Sequence, residues 1–175
     1  FGKQAAAGET SENLSYKPVM TNFLAKYKDG LFELAFPEIV NYVDATFNTI
    51  PDKAHRAIAG LSMGGMHTLM ITANYPDMFN YIGLYSSGVD FTLIEKGEVP
   101  AYANFDGKLA KLAQTNPKLY WIACGSADGL MPANKQLMER MTKNGLKYTF
   151  HESSRGHLWS NWRQYSLMFI PQLFK

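Results

Sequence analysis

Gly60-Leu61-Ser62-Met63-Gly64-Gly65 follows the apolar run Arg56–Ala59 and opens a segment with helical periodicity. A strand, a glycine-flanked serine and a helix, in this order, predict a nucleophile elbow, which is a sharp turn that exposes the serine hydroxyl above a sheet. In such a turn the backbone N–H of the next residue, here Met63, faces a developing oxyanion. Glycine is expected two residues before and two residues after the serine, because a Cβ at either place would collide with the crossing strand and helix. The alternative interpretation is a tight strand-to-helix turn without chemistry.

The composition is typical of one globular domain. The chain has 175 residues, of which 46% are hydrophobic and 14% aromatic, enough to bury a core. Charged residues make up 18%, the net charge is +2, and no basic or acidic block occurs, so nucleic acid and a charged membrane surface are not expected as partners. No apolar stretch approaches the ~20 residues of a membrane span. The single cysteine, Cys124, excludes an internal disulfide and lies in an apolar run, which predicts a small core residue.

A helix is predicted ahead of the serine. The apolar residues Phe32, Phe36, Ile39, Val43 and Phe47 step by three and four positions, which predicts a helix over residues 31–47 with one buried stripe. Pro37 falls inside this segment, so the helix is expected either to kink there or to begin there with proline in its first turn. Residues 1–30 are polar and contain glycines, and they predict a surface loop region with a short helical turn around residues 19–27.

Short apolar runs alternate with helical patterns over the rest of the chain. Strands are predicted at Arg56–Ala59, Tyr81–Tyr85, Leu119–Cys124 and Tyr148–Glu152, and helices after the elbow, around residues 106–113, from Pro132, and over about 160–174. The unbroken apolar run at 119–124 suits a strand covered on both faces. The alternation predicts an α/β fold, with a mostly parallel sheet of about four strands and helices on both faces. We expect one domain over residues 1–175.

A serine needs two partners to become a good nucleophile. A histidine must take its proton, and a carboxylate must orient that histidine. In the α/β-hydrolase arrangement the chain order is serine, acid, histidine, and each lies in a loop at the carboxyl end of a strand. Asp128 lies just beyond the third predicted strand, whereas Asp90 comes too early, Asp106 resembles a helix cap and Glu152 lies within a strand. We therefore predict Asp128 as the acid, and a turn-forming Asp-Gly is the alternative.

The histidine is chosen by position. His157 follows the last predicted strand, and its loop is expected to reach over Ser62. His55, His67 and His151 are better explained as surface or structural residues. The four histidines have no ligand spacing with the carboxylates, so we expect neither a metal site nor a cofactor.

The combined pattern resembles the esterase-D-type esterases, and within them the feruloyl and acetyl-xylan esterases of carbohydrate esterase family one. The matching stretches are residues 47–50, 57–65, 75–79, 83–88 and 156–163, the last of which is similar to the Gly-His-x-Trp-x-x-Trp-Arg tail of many of these esterases. The resemblance covers nearly the whole chain from residue 31 onward. It implies a serine carboxyl-ester hydrolase that uses Ser62, Asp128 and His157, with the Met63 N–H as an oxyanion donor. It also implies release of feruloyl or acetyl groups from plant cell-wall xylan, or from a small ester.

Several functional alternatives stay open. An S-formylglutathione hydrolase or a siderophore esterase would use the same scaffold, and a non-catalytic carbohydrate-binding fragment is a third possibility. Trp159 is predicted to line the mouth of the pocket, with core packing beneath the histidine loop as its alternative. Tyr85 flanks the predicted serine site and is a second substrate-binding candidate, while Trp162 is expected to pack inward. The resemblance favours a secreted or periplasmic protein and leaves a cytoplasmic one open.

The resemblance departs at the front of the chain. Family members have further strands upstream, and the loop after one of them provides a second oxyanion donor, often from a His-Gly-Gly-type segment that is absent here. The chain therefore resembles the C-terminal half of the usual sheet, in which the strand Arg56–Ala59 would have an open apolar edge that invites association. We expect an N-terminal segment or a partner chain to cover this edge. Alone, the chain is expected to be weakly active or inactive, since loss of one oxyanion donor costs about 10²–10³ in turnover.

Overall fold

A computed structural model describes residues 29–175, in which four strands and six α-helices alternate. The elements are α1 (Leu31–Thr46), β1 (Ala57–Leu61), α2 (Met63–Asn74), β2 (Tyr81–Tyr85), α3 (Phe91–Lys96), α4 (Phe105–Gln114), β3 (Leu119–Gly125), α5 (Met131–Lys143), β4 (Thr149–Ser153) and α6 (Trp159–Phe169). Short 3-10 turns lie at Lys53–His55 and Ile170–Gln172. Residues 1–28 lie outside the described residues. They contain most of the loop region predicted for residues 1–30, including its helical turn.

The four strands form one parallel sheet in the order β1-β2-β3-β4. Ala59, Gly83, Trp121 and Thr149 lie side by side across it. Each strand is joined to the next through at least one helix, so the carboxyl ends of all four strands meet at one edge of the sheet. The predicted α/β class and the parallel sheet are confirmed, and the loops that follow β1, β3 and β4 are neighbours in space.

The two faces of the sheet carry different cores. Side chains alternate along a strand, so Ile82 and Leu84 of β2 face an aliphatic core with α2, α4 and α5, whereas Tyr81 and Tyr85 face an aromatic cluster with α6. Residues 120–125 of β3 are all buried, as predicted for a strand covered on both faces. Helices on both faces are thereby confirmed.

Helix α1 matches the predicted helix but not the predicted buried stripe. It runs from Leu31 through Pro37 to Thr46, so the proline lies inside the helix and does not begin it. Ile39, Val43 and Phe47 are 47%, 37% and 61% exposed. Phe36 of the predicted stripe is partly buried against the core. The later part of the stripe is uncovered because β1 is the edge strand, and no other element of residues 29–175 lies on that side.

Apolar surface flanks the edge of β1 on both faces of the sheet. On the α1 side a groove of about 800 Å³ is lined mainly by apolar side chains, among them Val40, Val43, Ile58, Phe79 and Phe174. On the α6 side a second groove of about 380 Å³ runs along β1 and is lined by Leu61, Phe169, Ile170 and Leu173, among others. Within the described part of the chain, β1 pairs with β2 alone, so its other edge carries free backbone groups between two apolar surfaces.

Cys124 is fully buried in β3, as predicted, and burial raises the pKa of its thiol to about 11. Across residues 29–175, none of the helices has the length and apolar character needed to cross a membrane.

Candidate active site

The backbone of Ser62 is strained in the way the elbow motif predicts. Its φ of 54° and ψ of −118° lie in a region that non-glycine residues rarely adopt. Four backbone hydrogen bonds hold this conformation. The Ser62 N–H donates to the Tyr85 carbonyl at 2.9 Å. The Ser62 carbonyl accepts from the N–H groups of Gly88 at 2.9 Å, Gly65 at 3.1 Å and Met66 at 3.2 Å. Ser62 thus lies between the end of β1 and the start of α2, tied to the segment that follows β2.

The crowded glycines of the turn are only in part the two that the motif predicts. A Cβ at Gly60 would lie 2.0 Å from the Gly64 carbonyl oxygen, so the expectation for Gly60 is confirmed. A Cβ at Gly64 would meet no atom of the described residues within 4 Å beyond its own helix, so the expectation for Gly64 is wrong. The second crowded position is Gly65, where a Cβ would lie 3.0 Å from the backbone of Ser87.

The structure brings Ser62, His157 and Asp128 together in one hydrogen-bonded chain. The His157 Nε2 lies 3.0 Å from the Ser62 Oγ, and the His157 Nδ1 lies 3.0 Å from the Asp128 Oδ2. Ser62 follows β1, Asp128 follows β3 and His157 follows β4. With Nδ1–H donating to the carboxylate, Nε2 is left as the acceptor for the serine hydroxyl. This arrangement is capable of removing a proton from Ser62.

Asp128 is built to stay ionised. It is 4% exposed, and its Oδ1 accepts the backbone N–H of Leu130 at 2.9 Å. Burial acts to raise the pKa of this carboxyl, but hydrogen bonds from Leu130, Ser86 and His157 outweigh it and hold the pKa below its usual value. A buried negative charge therefore faces the imidazole at neutral pH.

Two further residues contact the histidine or its loop, and sequence reasoning did not identify their roles. The Trp162 ring meets the His157 ring edge to face, with centroids 4.8 Å apart, and its Nε1–H donates to the Ser86 Oγ at 3.3 Å. The Asn161 side chain donates to the carbonyls of Ser154 and Gly156, both at 3.0 Å. Trp162 does pack inward as predicted, being 8% exposed. The sequence signal for this contact is that Trp162 follows His157 by five positions, with α6 beginning between them.

The two predicted substrate-binding residues differ in exposure. Tyr85 is 6% exposed and packs in the aromatic cluster against Trp121 and Tyr165, and its role in substrate binding stays a prediction. Its position on β2 turns the ring toward α6, and only its carbonyl reaches Ser62. Trp159 is 69% exposed and lies edge-on against Trp162 with centroids 5.1 Å apart, so its ring is open to a ligand. Met63 is the first residue of α2, where a backbone N–H has no acceptor within the helix.

The other histidines have structural partners, as predicted. The His55 ring contacts the Asp52 carboxylate at 2.8 Å on the surface, and His151 stacks on Trp121 within the sheet. His67 on α2 lies 2.8 Å from the carboxylate of Glu33, which is fully buried on α1.

The rejected carboxylates have partners of their own. Asp90 accepts backbone N–H groups at the start of α3. Asp106 is not the cap of α4, because Asn104 holds that position and the Asp106 carboxylate pairs with Arg140 at 3.3 Å. Among residues 29–175, no group of three or more histidine, cysteine or acidic side chains has the geometry to hold a metal ion.

Comparison with known proteins adds a family and a fold. The family model described as Putative esterase matches residues 27–168. An endo-1,4-beta-xylanase/feruloyl esterase of Xylanibacter ruminicola is 53% identical over 66 residues, which make up 37% of this chain and 9% of that protein. An acetyl esterase of Caldicellulosiruptor saccharolyticus is 26% identical over 73% of this chain and 58% of its own length.

Among solved structures, a CE1 ferulic acid esterase of Anaeromyces mucronatus superposes with a TM-score of 0.68 at 21% identity, over 83% of this chain and 54% of that one. At this identity the likeness concerns the fold, which is α/β-hydrolase-like. The chain spans less than two thirds of the length of each of these three proteins.

Proposed function

The chain belongs to the Putative esterase family, and we propose that it carries the catalytic residues of a serine carboxyl-ester hydrolase. One observation carries the proposal: the hydrogen-bonded chain from Ser62 through His157 to Asp128, with both contacts at 3.0 Å. The strained φ of Ser62 supports it, because such backbone strain is found where function requires it.

In the proposed reaction the Ser62 Oγ attacks the carbonyl carbon of an ester while the His157 Nε2 takes the hydroxyl proton. The carbonyl oxygen becomes an oxyanion, toward which the Met63 N–H donates. Collapse of this intermediate breaks the ester bond, and His157 returns the proton to the departing alcohol. Water then attacks the acyl-serine by the same route, which releases the acid and restores Ser62. Asp128 keeps the proton on Nδ1 and stabilises the imidazolium that forms in each half.

We further propose that the acyl group is feruloyl or acetyl and that the alcohol is a plant cell-wall xylan or a small ester. The support comes from the names of the relatives, a xylanase/feruloyl esterase and an acetyl esterase. An exposed indole beside the histidine loop suits an aromatic acyl group or a sugar face. A polymer of this kind lies outside the cell, so a secreted or periplasmic location belongs to the same proposal.

We propose that a further β-strand pairs with the open edge of β1. This strand would come from an N-terminal segment that is either continuous with the chain or supplied separately. A strand added there would pair with the free backbone groups of β1 and bury the two apolar grooves beside it. It would also lie next to the strand that leads into Ser62. The loop after such a strand is therefore the proposed source of the second oxyanion donor.

The test uses the protein with the segment proposed to cover β1 present, because the 175-residue chain alone is expected to be weakly active or inactive. This protein is compared with its Ser62→Ala variant and with Ser160→Ala, a change at an exposed serine of α6 that serves as the matched control. Hydrolysis of p-nitrophenyl acetate, methyl ferulate and S-formylglutathione is measured, together with covalent labelling by a fluorophosphonate probe. We expect hydrolysis and labelling to disappear in Ser62→Ala and to persist in Ser160→Ala. Hydrolysis that survives loss of Ser62 would overturn the mechanism. Preference for S-formylglutathione would overturn the substrate, and xylan binding without any hydrolysis would favour the carbohydrate-binding alternative.

A further inference from the structure

We propose that Asn161 and Trp162, adjacent residues in the first turn of α6, are positioning residues that set the orientation of the His157 ring. The inference rests on the proposed function, because it concerns the residue assigned as the general base. Neither side chain is placed to touch the reacting atoms, and each would act through His157.

The need for such residues follows from the place of His157. It lies in the loop that joins β4 to α6, where the chain has no sheet hydrogen bonds of its own. Rotation of a histidine ring about its second side-chain torsion is broad and weakly restricted. Two contacts at 3.0 Å, one to each ring nitrogen, require both the loop backbone and the ring plane to be held.

Asn161 holds the backbone. Its side-chain amide donates to the carbonyls of Ser154 and Gly156, so one side chain spans the loop and ends on the residue just before His157. The loop is also tied to the acid loop, since the Ala127 N–H donates to the Arg155 carbonyl at 3.0 Å. Asn161 is 7% exposed, which protects these bonds from water. The effect is a fixed distance between the loops that carry His157 and Asp128.

Trp162 holds the ring plane. Its indole meets the imidazole at an interplanar angle of 84°, an edge-to-face arrangement that resists rotation of the smaller ring. The indole is itself anchored, because its Nε1–H donates to the Ser86 Oγ. Ser86 is fully buried at a φ of 46°, and its hydroxyl interacts with the Asp128 carboxylate. One indole thus links the acid side of the site to the face of the histidine.

Removal of either contact is expected to lower kcat with little change in KM for an acetyl ester, since neither side chain is assigned to substrate binding. An acetyl ester is chosen because Trp159, the residue proposed to stack on an aromatic acyl group, lies against Trp162. A displacement of about 1 Å at a reacting group costs about 100-fold in rate. We therefore expect Asn161→Asp and Trp162→Leu to lower kcat by about 10- to 100-fold and KM to stay within about 2-fold. Trp162→Phe keeps a ring against His157 but loses the bond to Ser86, so a smaller loss of about 3- to 10-fold is expected.

Each variant has a matched control in the same fold. Asn74 is the control for Asn161, because its side chain also donates to two backbone carbonyls, those of Met70 at 2.8 Å and Ala101 at 2.9 Å, away from the site. Trp121 is the control for Trp162, because it is a buried indole of the aromatic cluster with no contact to His157 among those the structure records. Asn74→Asp and Trp121→Phe are expected to leave kcat within about 2-fold of the native value once folding is confirmed by thermal unfolding.

The experiment measures kcat and KM for ethyl acetate, together with a proton NMR spectrum, in three variants (Asn161→Asp, Trp162→Leu and Trp162→Phe), in the two controls and in Ser62→Ala. A histidine Nδ1–H bonded to a carboxylate gives a strongly downfield resonance, which we expect in the native protein and in both controls, and which should weaken or vanish in Asn161→Asp and Trp162→Leu. Equal kcat losses in variants and controls, or an unchanged resonance with native kcat in folded Asn161→Asp and Trp162→Leu, would overturn the inference. Hydrolysis that persists in Ser62→Ala would instead overturn the proposed function.

Discussion

The Nε2 of His157 lies 3.0 Å from the Oγ of Ser62, although 95 positions of sequence separate the two residues. The parallel sheet brings them together, because β1 and β4 end at the same edge and each residue lies in the loop that follows its strand. β3 ends between these two strands in the order of the sheet, and its loop supplies Asp128. The reactive geometry therefore depends on strand order, and variants that leave the sheet intact can test one side chain at a time.

Asp128→Asn preserves the shape of the side chain but removes its charge. The amide can present its NH₂ group to His157, which favours the wrong tautomer and leaves no Nε2 acceptor for the Ser62 hydroxyl. We expect kcat for p-nitrophenyl acetate to fall by about 10³- to 10⁴-fold, as with the equivalent change in a well-studied serine protease. Steady-state kinetics on folded protein check this. A loss smaller than about 10-fold would contradict the role assigned to Asp128.

The same residue has a consequence for stability against pH. The pKa of Asp128 is held below its ordinary value of 3.8 in the folded protein, so the folded state favours the ionised carboxylate. The stabilisation is therefore present above the unfolded pKa and is lost as the pH falls through the lower folded pKa. We expect the difference in urea-unfolding free energy between native protein and Asp128→Asn to shrink below about pH 4. A difference that stays constant from pH 7 to pH 3 would contradict this.

Gly60 and Gly64 provide a matched pair for testing the tight turn. A Cβ at Gly60 would lie 2.0 Å from the Gly64 carbonyl, and backbone must move to accept it. A Cβ at Gly64 would meet no atom of residues 29–175 within 4 Å beyond its own helix. Gly60→Ala is expected to destabilise the protein by about 3 kcal/mol or more. Gly64→Ala is expected to be neutral or to stabilise by up to about 1 kcal/mol, because alanine is favoured over glycine in a helix. Urea unfolding of both variants measures the two changes in unfolding free energy. Equal losses of stability in the two variants would contradict the difference in crowding between Gly60 and Gly64.

The sequence predicted the parallel sheet and its end-of-strand loops, because apolar runs and turn residues are local signals. It failed where the answer depends on a neighbour in space. The spacing of Ile39 and Val43 indicates an amphipathic helix but not whether anything lies against its apolar side, and here that side is exposed. Tyr85 illustrates a second limit, since it was predicted to flank the serine site, while the alternation of β2 turns its ring toward the aromatic cluster.

The roles of Asn161 and Trp162 illustrate a third limit. Asn161 bonds to backbone carbonyls, which every residue has, so no residue type in the loop signals the contact. Trp162 was recognisable as an inward-facing residue from its place in α6, but its contact with His157 depends on how the loop turns into the helix. Side-chain bonds to a loop backbone require coordinates.

Ile39 tests whether a further strand covers the α1 groove. In the 175-residue chain its side chain is 47% exposed, so Ile39→Gln is expected to change the unfolding free energy by no more than about 0.5 kcal/mol. Leu84→Ala, at a fully buried position of β2, is expected to cost about 2–5 kcal/mol under the same conditions. When the added segment is present, Ile39→Gln should become costly by about 1 kcal/mol or more, because the apolar side chain is then buried. If Ile39→Gln leaves the unfolding free energy unchanged even with the segment present, the proposal that a further strand covers the edge of β1 is contradicted.

Trp159 tests the proposed preference for an aromatic acyl group. Its ring is 69% exposed and lies two residues after His157, so Trp159→Ala removes a stacking surface without touching the hydrogen bonds of the site. An aromatic pair contributes about 0.5–1.5 kcal/mol, which corresponds to a rise in KM for methyl ferulate of about 2- to 10-fold. Ethyl acetate is the comparison substrate, because the leaving group of p-nitrophenyl acetate is itself aromatic. The KM for ethyl acetate should not change in Trp159→Ala. Trp159→Phe keeps a flat ring and should retain most of the native KM. If kcat falls instead for both esters, Trp159 supports the histidine loop through its contact with Trp162, and the role in substrate binding is wrong.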